Sequence, residues 1–301
     1  MIAWSLSGGG NRGPVQVGAM RALFENGIQP AMLVGTSAGA LNSAFLATDP
    51  TPAGVERLAR IWLATKGSDI FQDSWLSQAI RFVTGADSLN SNGPLKRYID
   101  RNIPPGVQTF GDLKCRLYIT TADLQSGQLY LYGDDPSARL IDAVLASTAL
   151  PPGWPPIEVG GRQFVDGGVV ANVPISIAID KGADTIYALD LEGGAPYPAV
   201  HGVYPIATRT LAVVVYQQLL RDIERAIRFS QVTLHHIYLG NIFAGISLKD
   251  FSHTAEMIER GYQRTLEYLA HPAPNTVEGL PAFGAAGAAA PPGAMPYTPR
   301  Q

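Results

Sequence analysis

Two glycine-rich turns within the first 47 residues restrict this chain to few folds. Residues 2–7 read as an apolar strand, Gly8-Gly9-Gly10-Asn11-Arg12-Gly13 as a loop, and residues 15–26 as a helix that stops at Gly27. Residues 32–34 then read as a second strand, Gly35-Thr36-Ser37-Ala38-Gly39 as a sharp turn, and residues 40–47 as a second helix. A strand that returns through a helix runs parallel to the first, with a right-handed crossover. Both turns therefore open on the carboxyl edge of one sheet, where α/β folds place their ligands.

The remaining pattern extends this unit. Residues 117–122 and 129–132 read as strands joined by a turn at Gln125-Ser126-Gly127, and residues 139–147 as a helix. A proline-rich connection, residues 151–156, precedes a hairpin of residues 157–159 and 163–165 across Gly160-Gly161. Asp166-Gly167-Gly168 closes that hairpin, and Pro174 starts a helix as a first-turn proline. Residues 185–190 read as a buried strand, and 205–231 and 252–269 as two long helices. The stretch 211–229 is amphipathic, for which packing on the core is expected rather than membrane docking. The expected architecture is a three-layer α/β/α domain with a mainly parallel central sheet over residues 1–270. Residues 271–301, mostly Ala, Pro and Gly, bury too little apolar surface to order themselves and read as a disordered tail.

Composition removes several classes of function. A net charge of -3, with no basic cluster beyond the helically spaced Arg221, Arg225 and Arg228, offers nothing to nucleic acid. A single cysteine, Cys115, allows neither a disulfide nor a cysteine-built metal site, and it reads as a small core residue. No apolar run reaches about 18 residues, and the first residues lack a basic segment followed by a long apolar one. A cytoplasmic location is expected, which leaves peripheral membrane contact open.

The chemistry sits in three motifs. In Gly35-Thr36-Ser37-Ala38-Gly39 the serine occupies the tip of a strand-to-helix turn, a strained position that needs small neighbours. The following helix aims its free N–H groups at the same point. The loop Gly8 to Gly13 has two readings. It satisfies the dinucleotide spacing at Gly8, Gly10 and Gly13, but no acid ends the second strand to hold a ribose. The other reading is an oxyanion hole of backbone donors beside Ser37. The third motif, Asp166-Gly167-Gly168, leaves a carboxylate projecting from a turn, a weak signal in isolation. None of the histidines (His201, His235, His236, His253 and His271) follows a strand in a turn with small neighbours, as the base of a Ser-His-Asp triad would. Residues 235 and 236, adjacent before an apolar run, should divide between core and solvent.

In this order the three motifs resemble the patatin-like phospholipase family, as do the stretches Ala146-Ser147-Thr148-Ala149-Leu150-Pro151, Asn172-Val173-Pro174 and Gly182-Ala183-Asp184. The likeness extends over roughly residues 1–270. It implies a Ser–Asp dyad without histidine, cofactor or metal. Ser37 would attack the ester carbonyl, Asp166 would take its proton, and an acyl-enzyme would form. Gly8, Gly9 and Gly10, helped by Arg12, would make up the oxyanion hole, while Gly13, Gly35, Gly39, Gly167 and Gly168 shape the turns. The implied substrates are phospholipids, lysophospholipids or other fatty-acyl esters. The alternatives are a non-specific carboxylesterase or acyltransferase and, from another class, a catalytically silent lipid-binding scaffold. A nucleotide-dependent oxidoreductase is the remote third. An acyl chain needs an apolar wall, for which Phe71, Trp75, Leu76, Ile80, Phe82, Val83 and Trp154 are the candidates, with residues 69–86 as a lid.

Overall fold

The computed structural model describes residues 1–71, 84, 86–192, 199–243 and 246–276. Among these, eight strands form one sheet in the order β5-β6-β3-β2-β1-β7-β8, with β4 paired to β3 off this path. The central strands β1 (Ile2–Leu6), β2 (Met32–Gly35), β3 (Arg116–Asp123), β7 (Thr185–Asp190) and β8 (Thr233–Tyr238) run parallel to one another. Antiparallel partners are added at β3: β4 (Leu129–Tyr132), β6 (Arg162–Asp166) and, beyond it, β5 (Ile157–Val159). The expected three-layer α/β/α architecture with a mainly parallel sheet is what the chain adopts.

Strand periodicity explains the layers. Along β1, Trp4 and Leu6 enter one core and Ala3 enters the other; along β7, Tyr187 and Leu189 oppose Ile186 and Ala188. The first core is covered by α1 (Gly13–Glu25), α2 (Ala38–Ala47), α3 (Pro52–Ala64), α6 (Leu140–Thr148) and α10 (Thr254–Ala270), with the short α4 (Gly67–Ile70) and α5 (Gly93–Asn102) beside them. The second lies under α7 (Gly168–Ala171), α8 (Ile175–Asp180) and the C-terminal half of α9 (Val203–Arg228). Gly18 and Gly261 let α1 and α10 touch backbone to backbone. A Cβ on Gly18 would stand 2.6 Å from the Tyr262 nitrogen, and one on Gly261 2.8 Å from the Val15 carbonyl carbon.

Three local expectations are revised. Residues 233–238, which carry His235 and His236, are strand β8, bonded along its whole length to β7. His236 lies in the interior on Asp190, while half-buried His235 stacks on Tyr187. Core packing of residues 211–229 holds only beyond Leu219, where Leu219, Ile223 and Ala226 are buried; Leu211, Val213 and Val214 are exposed. Cys115 is half-buried just ahead of β3, where burial pushes its thiol up to about 11. The chain also stays attached past His271: Asn275 exchanges hydrogen bonds with the Leu234 backbone at 2.8 and 2.9 Å. Residues 277–301 of the expected tail, and most of the expected lid, lie outside the described residues. No helix among the described residues is long and apolar enough to cross a membrane.

Candidate active site

The nucleophile turn is built by β2 and α2. Gly35 pairs with Ile119 as the last residue of β2. Thr36 then donates its N–H to the Leu6 carbonyl, shares a 2.6 Å hydroxyl contact with Thr120, and donates its hydroxyl to the Ala171 carbonyl. Ser37 follows at φ 54 and ψ -121, a left-handed conformation that costs an ordinary residue about 1–3 kcal/mol. Its neighbours hold it there. Its N–H bonds the Ser147 hydroxyl at 2.9 Å, and its carbonyl accepts the Leu41 N–H at 3.0 Å. Gly39 is required because α2 begins directly against β1: a Cβ there would stand 2.7 Å from the Ser7 carbonyl oxygen. Although Ser37 occupies the N-cap of α2, its hydroxyl does not cap the helix.

Asp166 stands beside it: the Ser37 side chain pulls the Asp166 carboxyl down, and both residues line one cleft. The reason lies in the sheet register. Strand β3 carries β2 as far as Ile119, and two residues further on Thr121 pairs with Asp166, the last residue of β6. Two antiparallel-running ends are thereby brought face to face across one strand. Asp166 donates its N–H to the Ala149 carbonyl and accepts the Gly168 N–H on its carboxylate at 2.8 Å. Burial pushes its carboxyl up to about 6, against the opposing pull of the Ser37 and Gly168 hydrogen bonds.

The first glycine loop arches over Ser37. A Cβ on Gly8 would meet the Ser37 Cβ at 3.2 Å. The Gly8 N–H is committed to the Asn172 carbonyl at 3.2 Å, whereas the N–H groups of Gly9 and Gly10 bond no acceptor among the described residues. Gly10 adopts φ 60, which only glycine takes at no cost. Arg12 stays within the loop wall: its guanidinium is held by the carbonyls of Leu191 (2.7 Å), Gly240 and Gly9 and by the Glu192 carboxylate. Glu192 is itself pushed above the ordinary carboxylate range by burial, with Arg12 pulling it back. Gly13 begins α1 against the Trp62 ring, and Gly167 turns tightly against the Thr120 carbonyl.

These groups share one cleft of about 400 Å³. Leu41, Trp62, Phe71, Leu95, Trp154 and Phe251 give it an apolar wall. Phe71 and Trp154, two of the expected wall residues, pack with ring centroids 5.2 Å apart. Trp75, Leu76, Ile80, Phe82 and Val83 lie outside the described residues. No histidine lines the cleft among the described residues. Sequence reasoning missed Ser147, Thr36, Asn172 and Glu192 as site residues. Each acts through a contact far away in the chain. The local signals were the runs that carry them: Gly35 to Gly39 for Thr36, Ala146 to Pro151 for Ser147 and Asn172-Val173-Pro174 for Asn172.

The profile of the patatin-like phospholipase family matches residues 5–179, more than half of the chain. Patatin-like phospholipase domain-containing protein 7 of Rattus norvegicus is 29% identical over 191 residues, covering 63% of this chain and 13% of the rat protein. Lysophospholipase nte1 of Aspergillus terreus is 28% identical over 187 residues, covering 62% of this chain and 12% of the fungal protein. The chain thus spans about an eighth of the length of these relatives. Among solved structures, VipD from Legionella pneumophila superposes with a TM-score of 0.50 at 16% identity, over 89% of this chain and 66% of VipD, a likeness of fold. From the two glycine turns on one sheet edge and the match that spans them, the chain belongs to the patatin-like phospholipase family.

Proposed function

We propose that this chain hydrolyses fatty-acyl esters, phospholipids or lysophospholipids, through a Ser37–Asp166 dyad and a covalent acyl-enzyme. One observation carries the reading: a serine in a strained turn and a buried carboxylate line the same apolar cleft, which no histidine among the described residues lines. An aspartate is an adequate base here because burial lifts its pKa towards neutrality, where proton transfer from serine is least uphill.

The steps follow from the positions. Ser37 Oγ attacks the ester carbonyl carbon and passes its proton to Asp166. The carbonyl oxygen becomes an oxyanion, held by the uncommitted N–H groups of Gly9 and Gly10 with the N-terminus of α2 behind them. As the tetrahedral intermediate collapses, the C–O bond to the leaving alcohol breaks, and that alcohol takes the proton back from Asp166. Water then attacks the acyl-serine with Asp166 as base, releasing the fatty acid and restoring Ser37. Arg12 serves by holding the glycine loop against the ends of β7 and β8 rather than by reaching the oxyanion itself.

Hydrolysis of a short-chain nitrophenyl ester, a phospholipid and a lysophospholipid by wild type, Ser37→Ala and Asp166→Asn tests this reading. Both variants should lose activity on all three substrates, and a fluorophosphonate probe should label Ser37. Undiminished activity in either variant, or labelling of another residue, would overturn it.

A further inference from the structure

Helix α9 changes character halfway along. Its C-terminal half is anchored to the second core by Leu219, Ile223 and Ala226. Its N-terminal half leaves the sheet and turns Thr208, Leu211, Ala212 and Val215 towards the cleft. The outward face of that half, which touches neither cleft nor core, is apolar. Val203 is 89% exposed, Ile206 50%, Val213 51% and Val214 47%. Helical spacing of three or four puts Val203, Ile206, Thr210, Val213 and Gln217 on one line, and the same line continues as Arg221, Glu224 and Arg228. One face of one helix is therefore charged along its centre over its last three turns, whereas over its first four the centre is uncharged and only Arg209 borders it.

The bare portion lies at the mouth of the cleft. Leu150, Leu211 and Leu248, exposed apolar residues themselves, line the cleft and form its rim. Of the exposed large apolar residues, the group formed by the rim and the first turns of α9 is thus continuous with the apolar interior of the site. A patch of this kind marks a contact surface. A lipid monolayer fits it better than a folded partner does. The exposed large side chains of the patch are aliphatic, with Arg209 the one charged residue beside them, and the cleft must receive acyl chains from the side on which the patch lies.

We infer that the N-terminal half of α9, with the rim leucines, docks this protein on a lipid surface and opens the cleft directly onto it. The inference rests on the acyl-ester reading for its purpose, but not for its measurement. The patch carries no cationic cluster, so binding should not require anionic lipid.

Sedimentation with phosphatidylcholine vesicles, in a Ser37→Ala background so that no lipid is consumed, tests it. The background protein should bind. The additional pair Ile206→Asp and Val213→Asp should weaken partition by about a hundredfold, roughly tenfold for each aliphatic group lost from the lipid. Ile227→Asp, an exposed apolar position at the far end of the same helix, should leave partition unchanged. With Ser37 restored, the Ile206→Asp and Val213→Asp pair should keep wild-type rates on the soluble nitrophenyl ester while losing hydrolysis of vesicle phospholipid. Equal vesicle binding by this pair would overturn the inference. So would a protein that ignores vesicles and forms a dimer dissolved by the same pair, since a second copy would then be the occupant. If no ester is hydrolysed at all but vesicle binding still depends on Ile206 and Val213, the acyl-ester reading fails and the docking face stands.

Discussion

The serine side and the aspartate side of the site are built in opposite ways. Ser37 sits in a strained turn made almost wholly by residues 35–41 and held against β1, with Ser147 as its main distant support. Asp166 is held by distant groups. It needs β6 paired to β3, the Ala149 carbonyl on its backbone, and enough surrounding protein to exclude water. The serine side stores backbone strain. The aspartate side stores an unfavourable charge, visible as a carboxyl pushed up to about 6. In the proposed dyad reactivity would be prepared twice, once through conformation and once through desolvation, and the two sides are tied together by Thr36, whose hydroxyl touches Thr120 and Ala171.

The largest test of this comparison is the loss of each member. Ser37→Ala and Asp166→Asn should each lower kcat/KM by about 10⁴-fold, and the double variant should fall little further, because residues that act as a unit are not additive. Full additivity would mean the two sides work separately.

The pH profile comes next. If Asp166 is the base, kcat/KM should rise about tenfold per pH unit below its pKa of about 6 and flatten above it. The residual activity of Asp166→Asn should lack that limb.

Stability gives a smaller effect of unusual sign. The folded pKa of Asp166 lies above the ordinary value of 3.8, so its contribution to stability is fully present below pH 3.8 and is lost as pH rises through about 6. At pH 8, Asp166→Asn should therefore be more stable than wild type, by up to about 2 kcal/mol after the altered hydrogen bonds are counted, and the gain should disappear by pH 4. Thermal melts at the two pH values would check it. A variant less stable at pH 8 would show that the charge is not stored there.

Ser147→Ala probes the serine side at the lowest cost. It removes the acceptor of the Ser37 N–H from a fully buried position, which should lower stability by about 1–2 kcal/mol. The kcat should fall by about tenfold as the strained turn relaxes, with KM little changed. Restoration by Ser147→Thr would separate the hydroxyl from simple packing.

The same division explains what could be read from the chain. The strand–loop–helix order of residues 1–47, the parallel pairing of β1 and β2, and the hairpin before Asp166 were legible because each depends on local spacing and on glycine at turns. Strand β8 was not, since Thr233 to Tyr238 mixes two histidines into a short run whose strand character comes from lying beside β7. The exposed half of α9 was equally hidden: an amphipathic pattern specifies a face, not whether anything covers it.

What the sequence determined by itself was the strained turn at Ser37, with its small neighbours and the helix behind it, because steric limits on φ and ψ act over a few residues. Asp166 as a partner could be inferred only from the absence of a suitably placed histidine and from family likeness, since an Asp-Gly-Gly is usually a turn. Tertiary structure decided the rest: which carboxylate shares the cleft with Ser37, that Gly9 and Gly10 rather than Gly8 keep free donors, that Arg12 is spent on Glu192 and backbone carbonyls, and which helix face stays bare. The first three depend on groups more than a hundred residues apart meeting away from water, and the last on no such group arriving; register and burial, not local propensity, set these outcomes.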